Sequence, residues 1–205
     1  MSAFLDPAAV RRAILADNWG TSRFTTADLA ARVSSIHFVA HENPTNEGDG
    51  GLPPTNHWTI SLELEPEAAP ARGVWVDMAP DMPDAPGMVV LDSSPHTAPP
   101  DAIHIVHARV TAPVITVSDV LSVLLAQRRD VYVYAPVGEG CRFWVQTLAG
   151  DFAAWTPGLI SQADAEAVRR DVRLYWPSPG GEPQPRVMNR GTFPYAPRLL
   201  VADAD

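Results

Sequence analysis

Proline placement limits this chain more than any other feature. Most of its 21 prolines fall in four stretches, 43–54, 66–70, 80–100 and 177–197. Proline fixes φ and carries no N–H, so helices and strands have to end at these prolines or run between them. The regular elements must therefore be short and joined by long, ordered loops. With 205 residues, 46% of them hydrophobic, the chain has enough apolar surface for the core of one domain.

The windows between the prolines can be read individually. Asp6-Pro7 is an N-cap with proline at the first helical position, and a helix follows to about Ala16. Thr25 or Thr26 caps a second helix to about Arg32. Ser35 to His41 alternates as a strand, and 42–56 is a polar Gly/Pro loop. His57 to Leu64 is the clearest strand, with Trp58, Ile60, Leu62 and Leu64 on one face. Gly73 to Met78 is its hairpin partner. Gly87 to Leu91, Ile103 to Val110 and Val131 to Ala135 read as further strands. Thr116-Val-Ser-Asp119 opens a helix to about Gln127. Cys141 starts one to about Ala149, and Ser161-x-x-Asp164 starts one that stops before Trp176-Pro177. Strands precede most helices, so the expected class is α+β. The expected organisation is a helical N-terminal extension (1–34), a core (35–176) and a Pro-rich tail that wraps the surface (177–205).

Composition removes several function classes. The net charge of −9 argues against a nucleic-acid partner. Arg169, Arg170 and Arg173 share their segment with Asp164, Glu166 and Asp171, which reads as a solvated helix face. The two N-terminal helices lack the basic face of a DNA-reading helix-turn-helix. All 15 basic residues are Arg, which excludes Schiff-base chemistry, covalent pyridoxal phosphate and a P-loop lysine. No signal-like or membrane-spanning apolar run is present, so the expectation is a cytoplasmic protein with no membrane partner and a reduced thiol.

That thiol is the only one. Cys141 stands in Gly138-Glu-Gly-Cys-Arg-Phe-Trp-Val145, at a helix start where free N–H groups and the dipole favour S⁻. One cysteine makes neither an intramolecular disulfide nor a multi-thiolate metal site, which leaves packing or reactivity. A nucleophile needs a base, and the base an orienting group. Of six histidines (37, 41, 57, 96, 104 and 107), His57 is best placed, where the polar loop enters the strongest strand. If the hairpin turns near Glu67, His57 lies opposite Asp77, Thr59 opposite Trp75 and Ile60 opposite Val74. Direct cross-strand Cβ atoms are roughly 5 Å apart, within reach of a carboxylate–imidazole contact. The competing readings are a structural histidine, a turn-forming Asp and a buried, inert Cys.

Three segments carry a resemblance. His57-Trp-Thr-Ile-Ser-Leu62, Val74-Trp-Val-Asp-Met-Ala-Pro80 and Gly140-Cys-Arg-Phe-Trp-Val145 resemble the circularly permuted papain-like proteins. The nearest such group is the lecithin retinol acyltransferase-like enzymes. That group has His where this chain has Asp77, and Asn where Gly140 precedes the Cys. The pattern His-Trp, Asp-Met-x-Pro, Thr-Val-x-Asp and Gly-Cys-Arg-aromatic-Trp is similar to a domain-of-unknown-function family common in fungi. That similarity covers roughly residues 35–176 and brings no established activity. The resemblance implies a permuted papain-like core, an antiparallel sheet packed on the Cys-bearing helix. It makes Cys141 the nucleophile, His57 the base and Asp77 the orienting residue.

The expected function is acyl chemistry, hydrolysis, transfer or cyclisation, on an amide, ester or thioester of a small molecule or peptide, with no cofactor. The alternative is a papain-like protein that binds a ligand or protein without catalysis. Secondary sites have two readings each. Gly138 and Gly140 are turn residues, or admit backbone N–H groups to an oxyanion. Trp58, Trp75 and Trp144 line an apolar cleft or fill the core. Arg142 meets a substrate carboxylate or is exposed. A metal is the chemical rival, but His37 and His41 lie roughly 13 Å apart along a strand, and His104 and His107 point to opposite faces.

Overall fold

A computed structural model describes residues 4–16, 19–44, 46, 53–65, 71–80 and 85–195. The expected turn at Glu67 and the last ten residues of the tail lie outside them. The strands are β1 (Trp19–Arg23), β2 (Val33–His41), β3 (His57–Leu64), β4 (Gly73–Ala79), β5 (Met88–Ser94) and β6 (His104–Arg109), with a small pair β7 (Leu174–Tyr175) and β8 (Gln184–Pro185). The helices are α1 (Pro7–Ile14), α2 (Val117–Ala126), α3 (Cys141–Ala154) and α4 (Gln162–Asp171). The main sheet has the order β1-β5-β4-β3-β2-β6. All its neighbours are antiparallel except β1 with β5. The class is α+β.

Local chemistry accounts for most element ends. Asp6 caps α1 by accepting from the Ala8 N–H, and Pro7 opens it. Thr116 and Asp119 form a reciprocal capping box on α2. Ser161 accepts from the Asp164 N–H at the start of α4. Trp58, Ile60, Leu62 and Leu64 of β3 are all buried, as are Trp144, Val145, Leu148 and Phe152 of α3. They share one core with the apolar side of α2, and each such side chain contributes about 1.5–3 kcal/mol. The sheet thus holds α3, and the residue that begins it, against β3.

The structure departs from expectation in four places. The 25–32 segment is a single 3-10 turn (Thr26–Ala30), and Thr25 makes no side-chain cap. Its Asp28 carboxylate is instead taken up by Arg72 and Ser93. Val131 to Ala135 is not a strand, because only Val133 bridges, to Pro86 and Thr192. Pro86 has no N–H to extend that ladder, and Pro136 ends the segment. The N-terminal region contributes β1 to the main sheet, a short edge strand containing Gly20 that shows no alternation.

The fourth departure is register. Ile60 pairs with Val76, Ser61 with Trp75 and Leu62 with Val74, two residues away from the expected pairing. A slip of two keeps every side chain on its face, whereas a slip of one would reverse them. His57 and Asp77 therefore stay on one face as diagonal neighbours, a separation that longer side chains still bridge.

Candidate active site

His57 opens β3, and its Nε2–H donates to Asp77 Oδ1 at 2.8 Å. A carboxylate only accepts, so this bond fixes Nε2 as the protonated nitrogen and leaves Nδ1 for the thiol. Burial pushes the ring towards the neutral form. The hydrogen bond to Asp77, then the hydrogen bond and charge of Cys141, override it and raise the imidazole to about 11. The ring is held as imidazolium at neutral pH.

Cys141 is the first residue of α3 and only 7% exposed. Burial pushes its thiol up. The hydrogen bond and charge of His57, the Trp58 backbone N–H and the Arg142 guanidinium outweigh that, and the thiol is held below its ordinary range. In its protonated form the thiol also faces the Asn56 carbonyl at 3.8 Å. Cys141 and Arg142 occupy the first helical positions, where backbone N–H groups have no acceptor within the helix.

The approach to the helix needs two glycines. Gly138 has φ +75, a left-handed conformation that other residues rarely adopt. A Cβ on Gly140 would lie 2.9 Å from the Tyr132 hydroxyl, which itself donates to the Gly140 carbonyl. Close packing against Tyr132 thus sets where Cys141 begins. Burial pushes both Tyr132 and Tyr134 upward, so each stays a phenol. The Tyr134 hydroxyl donates to the Met78 carbonyl, next to Asp77.

His57 lies between two clefts. One, of about 270 Å³, is lined by Cys141, Gly138 to Arg142, Tyr134, Pro80, Glu42 and Thr55. The other, of about 310 Å³, is lined by Asp77, Thr59, Trp75, His41, Arg23, Asp92 and Asp101. Of the three tryptophans with two readings, only Trp75 lines a cleft. Trp58 and Trp144 are fully buried in the core, with Trp144 Nε1 donating to the Arg129 carbonyl. Gly140 lines the thiol cleft.

Arg142 is neither exposed nor free for a substrate carboxylate. It is buried and donates to the carbonyls of Val172, Arg186 and Val187 and to Glu139 Oε2. Glu139 also accepts from Arg186 at 2.9 Å, from Asn189 at 2.9 Å and from Asn46 at 3.2 Å. This buried cluster ties the approach to the Cys helix to residues 186–189, which the sequence placed in a surface tail.

Sequence reasoning also missed Asn56 and His41. The Asn56 amide donates to the carbonyls of His41 and Trp176 and accepts from the Trp176 N–H. It clamps the turn just before His57. His41 sits directly across from His57 and is held neutral by burial, with Nε2 2.9 Å from the Thr59 hydroxyl. An Asn next to a His carries no recognisable signal, and nothing in the sequence sets His41 apart from the other candidate bases. His37 instead meets Glu63 and the edge of His107, while His104 bonds Asp171 and stacks on Trp176. Among the described residues no three His, Cys, Asp or Glu side chains converge to hold an ion. No described helix is long and apolar enough to cross a membrane.

No curated protein and no solved structure is significantly similar to this chain. A family model described as a domain of unknown function, DUF7770, matches residues 36–194, running past Trp176 into the Pro-rich segment, and the chain belongs to that family.

Proposed function

We propose that this protein carries out Cys-His-Asp dependent acyl chemistry, as a hydrolase or acyltransferase, on an amide, ester or thioester of a small molecule or peptide. The observation that supports it is the position of His57, bonded to Asp77 at 2.8 Å and lining the same cleft as Cys141, whose thiol it holds below the ordinary range. The Cys141 thiolate attacks the carbonyl carbon, and the first-turn N–H groups of α3, which have no acceptor within the helix, serve the developing oxyanion. His57 then protonates the leaving group, and a thioester forms on Sγ. Water or an amine attacks that thioester while His57 takes up its proton, releasing the product and restoring the thiolate. Asp77 orients the ring and stabilises the imidazolium.

A permuted papain-like architecture belongs to the same proposal. Its support is the chain order of His strand, Asp strand and Cys helix, together with the antiparallel sheet under α3. Activity profiling against acyl-thioester, ester and amide panels tests the function, with intact-mass detection of an acyl adduct on Cys141. Cys141→Ala should fold normally and lose both turnover and adduct. A folded Cys141→Ala variant with unchanged turnover would overturn the mechanism.

A further inference from the structure

The thiol cleft has a neighbour. A smaller cleft of about 170 Å³ reaches Tyr175 and Trp176, and Glu42, Pro44 and Thr55 line both. The shared lining sets them side by side as neighbouring compartments of one groove region, from Cys141 to Tyr175 and Trp176.

Charges along this groove are mostly neutralised within the protein. Glu139 lies between Arg142 and Arg186. His57 and Cys141 form their own pair, backed by Asp77. Glu42 is different. It is exposed, it lines both compartments, and among the described residues no ion pair engages it. In the outer compartment it is the only formally charged residue among the described residues that line the cleft. A carboxylate in a cleft lined by Tyr175 and Trp176 suits an organic cation, which is drawn to the charge and tolerated by aromatic neighbours. An anionic group would meet Glu42 and the net charge of −9 of the whole chain.

We propose that this groove selects an acyl donor bearing an ammonium or guanidinium group one compartment away from the reacting carbonyl, and that Glu42 is the specificity-determining residue. The substrate class rests on the acyl reading given above, but the charge preference is measurable without turnover. Methanethiosulfonate reagents modify a thiolate directly: Sγ attacks the sulfenyl sulfur, a disulfide forms and methanesulfinate leaves. The folded protein is treated with the trimethylammonioethyl, methyl and sulfonatoethyl reagents, and the rate at Cys141 is followed by intact mass.

The cationic reagent should outpace the anionic one. Glu42→Gln should lower that cation-to-anion rate ratio about two- to fivefold, the range for a solvent-exposed ion pair. Glu42→Arg should lower it further, and salt at about 1 M, where the Debye length is ~3 Å, should compress the wild-type ratio. A ratio unchanged in both variants overturns the role of Glu42. Failure of all three reagents to reach Cys141 in the folded protein overturns the groove. A thiol that titrates as an ordinary one sinks the acyl reading, while the ratio still tests Glu42.

Discussion

Removing the Asp77 charge while keeping its shape isolates what the carboxylate does for the His57 ring. Asp77→Asn retains an oxygen that accepts the His57 Nε2–H bond, now 2.8 Å long, so the ring stays in place and only the charge is lost. An opposite charge at this range shifts an imidazole by about 1–3 units. The side chains of His57 and Asp77 are 28% and 33% exposed, so solvent screens part of the interaction. The lower half of that range applies, about 1–2 units or roughly 1.4–2.7 kcal/mol. Asp77 acts on the imidazolium, whereas His57, Trp58 and Arg142 hold the thiolate, so the cost falls on the ring.

The sign follows from the two directions. Cys141 is held below its ordinary range, so the thiolate forms early as pH rises. His57 is held up to about 11, so the imidazolium persists until strongly alkaline pH. The ion pair occupies the window between. In Asp77→Asn that window narrows from the alkaline side, where the imidazolium loses the carboxylate that holds it. The assay is the NMR titration of the His57 ring, with Cys141 alkylation by iodoacetamide followed across the same pH range. The ring should lose its proton about 1–2 pH units earlier in the variant, while the acid limb of alkylation, where the ring is protonated in both proteins, should move by less than about threefold. An unshifted ring titration, or a wild-type Cys141 that titrates as a free thiol, would refute the pairing of Cys141, His57 and Asp77.

Two further outcomes are expected. Glu139→Gln leaves Arg142 and Arg186 buried with no carboxylate between them, and denaturant unfolding should show a loss of about 3–5 kcal/mol. A loss below about 1 kcal/mol would mean the cluster adds little to stability. His37 is held neutral mainly by burial and then by His107, against the pull of Glu63. Its folded value is depressed, so its contribution to stability is present above about pH 6.5 and is lost as pH falls. His37→Gln should flatten the decline in Tm between about pH 7 and 5, and a slope equal to that of wild type would count against it.

What the sequence revealed depended on whether the causes were local. The caps at Asp6, Thr116 and Ser161 and the alternation from His57 to Leu64 are short-range signals, and each marks a real element. The hairpin register was beyond reach, since the linking segment fixes it and alternation is blind to a shift of two. The edge strand β1 was missed because five residues with a glycine inside show no period. In the site, Cys141, His57 and Asp77 were legible because the proposed chemistry demands those residue types. Asn56, Glu139 and Arg186 were not. Their partners lie 120, 50 and 133 residues away, at Trp176, Asn189 and Pro53, and no local pattern encodes such contacts.

The contacts of Arg186 have a consequence for biosynthesis. Its guanidinium bonds the Pro53 carbonyl and Glu139, so it joins the loop before His57 to the loop before Cys141. During translation His57, Asp77 and Cys141 all leave the ribosome before Arg186 does. Until it arrives, Glu139 and Arg142 lack a principal partner, and a closure this long in sequence forms slowly. A nascent or prematurely terminated chain therefore carries the three residues without their final setting.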